Sequence, residues 1–357
     1  MVSMTTHERV SRMYEHREAD RVPMMAGPWE STVVRWRREG LPKDVSVKEY
    51  FGLDDIGYLG GIDTSPHFPE EIIEETDDYI IDRDRWGLTK KNFKPVSTTP
   101  LSMEHAIKDA DTWQEAKRRM VPSRDRIDWD LLDEQYRALR DADGWVGVAP
   151  WFGYDIVNAR MVGTETLLLA MAAEPAWVVD MLDHMCDLAL ALLDMVWEEG
   201  YVFDELMWFD DMGYRNGLLF SKSMWRDMVR PYQMRTIEWA HAHGVKAHLH
   251  SCGNIMALVP ELVHMGLDAL NPMEIKAGMD PVGIKEEFGE DLLLRGGFDV
   301  RNWNVYDEAE ADIRAKLPLM MEDGGYIFAS DHSIPDSVPF DTYSRIVELV
   351  KEVGCYD

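Results

Sequence analysis

VKAHLHSCGNIMALVPELVHMGLDALNPME, residues 245–274, is the stretch that decides the fold. It opens on an alternation, with Val245, Ala247 and Leu249 set against Lys246, His248 and His250, which is the period of a strand. NIMALVPELVHMG (254–266) then carries apolar residues at helical spacing and stops at Gly266. LDALNPME (267–274) returns to a short strand. A strand, a helix and a strand in such a short span form the crossover that joins parallel strands.

The same order continues on both sides. Upstream, WVGVAPW (145–151) reads as a strand leading into a site, and Met181–Glu199 as a helix stopped by Gly200. YVFDELMWF (201–209) is a strand, followed by a long helix from a Ser221 cap to Gly244. Downstream come a short helix PVGIKEEFG (281–289), a strand DLLLRGGFD (291–299) and a helix Glu308–Glu322. A strand GYIFAS (325–330) and a helix Asp341–Val353 close the series. Near the start, Thr5 and Glu8 have the spacing of a capping box, and Val22–Met25 reads as a first short strand. Residues 28–145, rich in Asp, Trp and Pro, yield no assignment. Strand–helix units in series predict an α/β protein, a (β/α)8 TIM barrel, rather than a doubly wound sheet. No G-x-G-x-x-G follows a strand, which weakens a nucleotide-binding reading. The expected organisation is a single domain over 1–357, less regular in 1–144 and regular in 145–357.

The chain has 357 residues, of which 46% are hydrophobic and 29% charged, with a net charge of -29. That charge argues against a nucleic-acid partner, since no basic surface offsets it. Three cysteines cannot form a disulfide framework, and a reducing cytoplasm is the expected setting. The most apolar run, LALALLDMVW (188–197), is broken by Asp194 and too short for a membrane span.

In a β/α barrel the reactive side chains sit at the C-terminal strand ends. Here those ends carry Asp210 and Asp211, then His250, Cys252 and Asn254, then Asn271 and Glu274, then Asp299, then Asp331 and His332. Helix capping explains Asn254 and Asp299 equally well, but it does not explain His250, Cys252 or His332. His250 and Cys252 stand two apart on a strand, so both side chains face one side, and their N and S donors suit zinc. A buried thiol beside a satisfied histidine is the plainer alternative. His248 shares their parity but lies deeper, as a core or supporting group. A third ligand must come from another strand end, with His332 or Glu274 as candidates. Trp151, Tyr154 and Trp208 either shape an aromatic pocket or pack the core.

READRVP (17–23), VGTETLLLAMAAEPAWV (162–178), WFDDMGYRNGLLFSKSMWRDMVRPY (208–232), HLHSCGN (248–254) and GGYIFASDHSIP (324–335) resemble the superfamily of uroporphyrinogen decarboxylase and the corrinoid-linked methyltransferases. The resemblance implies a single TIM barrel. The decarboxylases carry an R-Q-A-G-R segment that binds propionates. AGPWESTVVRWRREG (26–40) brings Arg35, Arg37 and Arg38 to that region without the motif. The methyltransferases hold zinc with an H-x-C pair and a later cysteine. His250 and Cys252 match the pair, and His332 stands where the later cysteine would be, preceded by Asp331. The resemblance therefore implies a zinc-dependent methyltransferase exchanging methyl groups between a small methylated substrate and a partner corrinoid (cobalamin) protein. Zinc would be held by His250, Cys252 and His332. Asp210, Asp211 and Glu274 would serve catalysis, and Trp151, Tyr154, Trp208, Asp299 and Asp331 would bind substrate. One thiolate among the ligands favours O-demethylation of a methoxylated donor, because a less negative set leaves zinc more electrophilic. A metal-free decarboxylase and a non-catalytic ligand-binding barrel are the alternatives. The oligomeric state stays open between monomer and homodimer.

Overall fold

The computed structural model describes residues 3–94 and 99–356. Its barrel wall begins with β1 (Ile56–Leu59). β2 (Glu71–Glu75), β3 (Tyr79–Arg83), β4 (Leu88–Phe93) and β5 (Leu101–His105) then form a separate antiparallel sheet in that order. The wall resumes with β6 (Trp145–Val148) and β7 (Glu205–Phe209), after which β8 (Gly213–Tyr214) and β9 (Gly217–Leu218) make a small hairpin. β10 (Lys246–His250), β11 (Ala269–Asn271), β12 (Leu293–Arg295) and β13 (Tyr326–Ile327) complete it. The wall runs β1-β6-β7-β10-β11-β12-β13 with every pair parallel, the barrel-like sheet that the crossover pattern predicts.

The segment at 22–25 closes the ring. Met25 N–H donates to Phe328 O (2.9 Å) and Phe328 N–H to Pro23 O (2.8 Å), just beyond β13. On the other flank Asp54 N–H donates to Met24 O (3.1 Å), just before β1. Pro23 has no N–H to give, so this stave is held by an isolated bridge rather than a full ladder.

The long helix predicted from Ser221 forms with a fault in it. The Ser221 hydroxyl accepts Met224 N–H (3.2 Å), a wider turn occupies Trp225–Val229, and regular helix runs over Arg230–Ala242. Pro231 removes a donor there, which is a common cause of such a widening. The helix predicted at Met181 starts earlier, at Pro175, because proline suits a first helical position.

The unassigned stretch holds the antiparallel sheet and the helices Glu30–Glu39, Val47–Phe51, Ala110–Lys117 and Trp129–Asp141. Its strands gave no two-residue apolar period because β2 is exposed throughout and β3 half-buried throughout, so neither has one buried face.

Inside the barrel, Glu205 on β7 is 1% exposed. It accepts from Tyr58 Oη (2.6 Å), His248 Nδ1 (2.7 Å), Tyr14 Oη (2.8 Å) and Trp145 Nε1 (2.9 Å). Burial alone would raise its pKa, but His248, Arg295 and Tyr58 outweigh that and hold it well below the carboxylate range. Burial and the Arg295 charge bring His248 down to about 4, so it sits there as a neutral donor.

Candidate metal centre

β10 delivers His250 and Cys252 to the C-terminal mouth, with Cys252 Sγ 3.5 Å from His250 Nε2. β7 pairs with β10 so that Phe209 lies level with His250. Two residues further on, Asp211 is therefore level with Cys252, and its Oδ1 accepts the Cys252 N–H (2.7 Å). The same oxygen lies 3.6 Å from His250 Nε2. Among the described residues, Asp211, His250 and Cys252 are the group whose donor atoms all fall within 4.8 Å of one another. Gly253 makes the approach possible. Its φ is +78°, and a Cβ there would lie 2.1 Å from the Gly213 carbonyl carbon, so only glycine lets the β8–β9 hairpin lie against this turn.

The trio suits a metal ion. Zinc–ligand bonds of about 2.0–2.3 Å at a tetrahedral angle separate neighbouring donors by roughly 3.4–3.6 Å, close to the separations here. A thiolate and a carboxylate together balance a divalent charge. Asn271, level with His250 on β11, supplies a further sign. Its Nδ2 lies 3.0 Å from His250 Nδ1, while its buried Oδ1 has no partner among the described residues. With no second bond locking the amide, a half-turn lets Oδ1 accept from Nδ1–H and frees the Nε2 lone pair for a metal.

The electrostatics point the same way. Burial lowers the proton affinity of His250; Asp211 pulls against it, and Arg295 and His332 add to it. Burial also pushes the Cys252 thiol well up, helped by Asp211, Glu274 and Asp155. Burial first, and the three nearby carboxylates after it, keep the thiol protonated, and a bound cation would oppose both. Asp155 is pushed up to about 7 by burial and by Asp211 and Asp210.

The other residues singled out in the sequence fall into separate places. His332 lines the same cavity as the trio but stands outside it, its ring 6.3 Å from that of Trp29. The reason is topological: it follows β13, three strands round from β10, whereas Asp211 follows the adjacent β7. Asp210 is fully buried and accepts from Tyr154 N–H, Tyr232 Oη, Gln233 Nε2 and Trp208 Nε1, and burial raises it to about 6. It anchors the chain beside Asp211. Trp208 is buried in that contact, and Tyr154 packs edge-on against Phe220. Glu274 Oε2 accepts Gly253 N–H (2.8 Å), bracing the turn after Cys252. Asp299 caps the following turn and pairs with Arg301, and Asp331 accepts the N–H groups of Ile275 and Val300.

Two cavities open at the mouth. One, of about 370 Å³, holds the trio together with Trp29, Asn271, Arg295 and His332. The other, of about 460 Å³, lies at the ends of β1 and β6, where Trp151 stacks on Trp86 (6.4 Å). Trp151 therefore lines a neighbouring cavity and not that of the trio. Sequence reasoning placed Asn271 at a strand end without giving it a role, and missed Arg295 and Asp155 as site groups. Asn271 and Arg295 carried a usable signal, since both stand at the ends of wall strands.

A parallel barrel with reactive groups gathered at its strand ends defines a class of TIM-barrel enzyme scaffolds. The uroporphyrinogen decarboxylase (URO-D) family profile matches residues 149–353, over half of the chain, and the chain belongs to that family. Among solved structures, a methyltransferase from Methanosarcina mazei is similar with a TM-score of 0.61, at 16% identity, covering 98% of this chain and 99% of that one. A B12-independent methionine synthase from Shewanella sp. W3-18-1, in complex with selenomethionine, has a TM-score of 0.44 at 10% identity, covering 85% of this chain and 82% of that one. At such identities the first likeness shows the shared fold. No curated protein matches the chain by sequence.

Proposed function

We propose that the protein is a zinc-dependent methyltransferase that moves a methyl group between a small methylated substrate and a corrinoid protein. Asp211, His250 and Cys252 would hold the zinc. The observation that carries this reading is the convergence of those three donors, with an invertible amide behind the histidine, in a cavity of about 370 Å³ at the barrel mouth. When bound, zinc supplies Lewis-acid activation of the atom that bears or receives the methyl group.

The chain's own residues set up the remaining chemistry. The Cys252 N–H orients the Asp211 carboxylate, and Glu274 fixes the turn through Gly253. Asn271 sets which nitrogen of His250 carries its proton. Trp29 and Pro272 line the cavity. The preference for O-demethylation loses its basis: with Asp211 in place of His332 the donor set carries two negative charges. The direction of transfer is left to the substrate. A polyanionic porphyrinogen is the weaker reading, since the R-Q-A-G-R segment is absent and Arg35 is spent on Glu39 and the Asp336 carbonyl.

Metal analysis of the purified protein tests the assignment. About one zinc per chain is expected, lost in Asp211→Ala and kept in His332→Ala. A folded protein free of zinc, or loss only in His332→Ala, would overturn it.

A further inference from the structure

Arg295 is a cation with unused donors facing the same cavity. It ends β12, is 5% exposed, and lines the pocket that contains His250 and Cys252. A guanidinium has five N–H donors. Here one nitrogen donates to Tyr58 Oη (2.6 Å) and another to the Met207 thioether (3.1 Å), a weak acceptor. Among the described residues its Nε has no protein partner. Glu205, the nearest carboxylate, is 4.0 Å away and already takes four hydrogen bonds from other groups. The network below therefore leaves Nε without an acceptor among the described residues and gives Nη2 only the weak Met207 thioether. The Nε–Nη2 edge is the planar fork that grips a carboxylate with two parallel hydrogen bonds.

Position gives the site a scale. Leu270 lies level with Leu294, so Asn271 and Arg295 are level in turn, and Asn271 is level with His250. Neighbouring strands stand about 4.8 Å apart, which places His250 and Arg295 about 10 Å apart across the wall.

We propose that Arg295 binds a carboxylate of the substrate, making the natural methyl donor or acceptor a compact organic acid whose reacting atom reaches the Asp211–His250–Cys252 trio from that anchor. The identification of the acid as methyl donor or acceptor rests on the methyl-transfer reading, whereas the carboxylate site itself does not. A neutral compound of the same shape leaves the fork unpaired in a buried place, so discrimination should be strong.

The test uses benzoate and its neutral isostere benzamide as probes, titrated into metal-stripped protein so that no ion competes for the carboxylate. Benzoate should bind at least about 10-fold more tightly than benzamide, a difference of about 1.4 kcal/mol. Arg295→Gln should abolish that preference and Arg295→Lys should keep part of it. In the unaltered protein, benzoate should shift the Arg295 Nε–H resonance, a readout that stands even where a substitution disturbs folding. Equal binding of the two probes, no binding of benzoate, or a preference that survives Arg295→Gln would overturn the proposal. Zinc content measured on the same preparations before stripping judges the metal reading separately, since Arg295→Gln leaves all three metal donors in place.

Discussion

His248 and His250 stand two residues apart on one strand and face the same interior, yet they belong to different regions of the molecule. The lower histidine is fully buried and spends its Nδ1 proton on Glu205. The upper one opens on the cavity, with Asn271 on one nitrogen and Cys252 and Asp211 near the other. Identical residues on an identical strand thus hold the barrel together below and, in the proposed metal site, offer a ligand above. Depth in the barrel, more than residue type, assigns the role.

Substitutions in the two layers should therefore fail differently. The largest effect is expected in the upper layer. Cys252→Ala should weaken zinc binding by about 1000-fold or more, beyond the roughly 10–100-fold that a supporting residue costs, with little change in unfolding midpoint of the metal-free protein. Equilibrium dialysis with a zinc indicator reads the first, and urea denaturation the second. Glu205→Ala should do the reverse. It strands Arg295 and His248 and should cost about 3–5 kcal/mol of stability, while the folded fraction still binds zinc. If Glu205→Ala lost zinc at unchanged stability, the division into layers would be wrong.

A smaller effect sharpens the boundary between the layers. Asn271→Leu removes the amide behind His250 and should weaken zinc binding about 10–100-fold without changing the unfolding free energy by more than about 1 kcal/mol. Unchanged affinity would show that the amide does not orient the ring.

The smallest effect is a slope. The pKa of Glu205 is depressed in the folded state, so its contribution to stability is complete above its unfolded value near 4.5 and is lost as pH falls below it. That loss amounts to at most about 1.4 kcal/mol per pH unit. Denaturation between about pH 5 and about pH 3 should show it, and Glu205→Gln should flatten it.

The barrel was legible in the sequence because each crossover carries a change of period from two residues to nearly four, with glycine or a Ser cap at the joins. His250 and Cys252 were legible as a pair because strand parity is a local property. The proposed third donor, Asp211, was legible only as a catalytic candidate, because its place beside Cys252 depends on which strand is the neighbour and in what register. His332 and Asp211 look equally placed along the chain, and only the β7–β10 pairing sets Asp211 level with Cys252. The antiparallel sheet escaped for another reason: a strand such as EIIEE, solvent-facing throughout, carries no buried period to read. Glu205 was hidden in the same way as Asp211, since its four donors come from four separate parts of the chain.

The knot around Asp210 has a thermodynamic consequence for its neighbour. Four donors from three segments fix the backbone immediately before Asp211, so that loop gives up its conformational freedom when the protein folds. An arriving ion then finds the carboxylate already ordered. Its association entropy should be dominated by released water, with little opposing loss from the chain, and calorimetry would record it as a favourable entropy rather than a purely enthalpic capture.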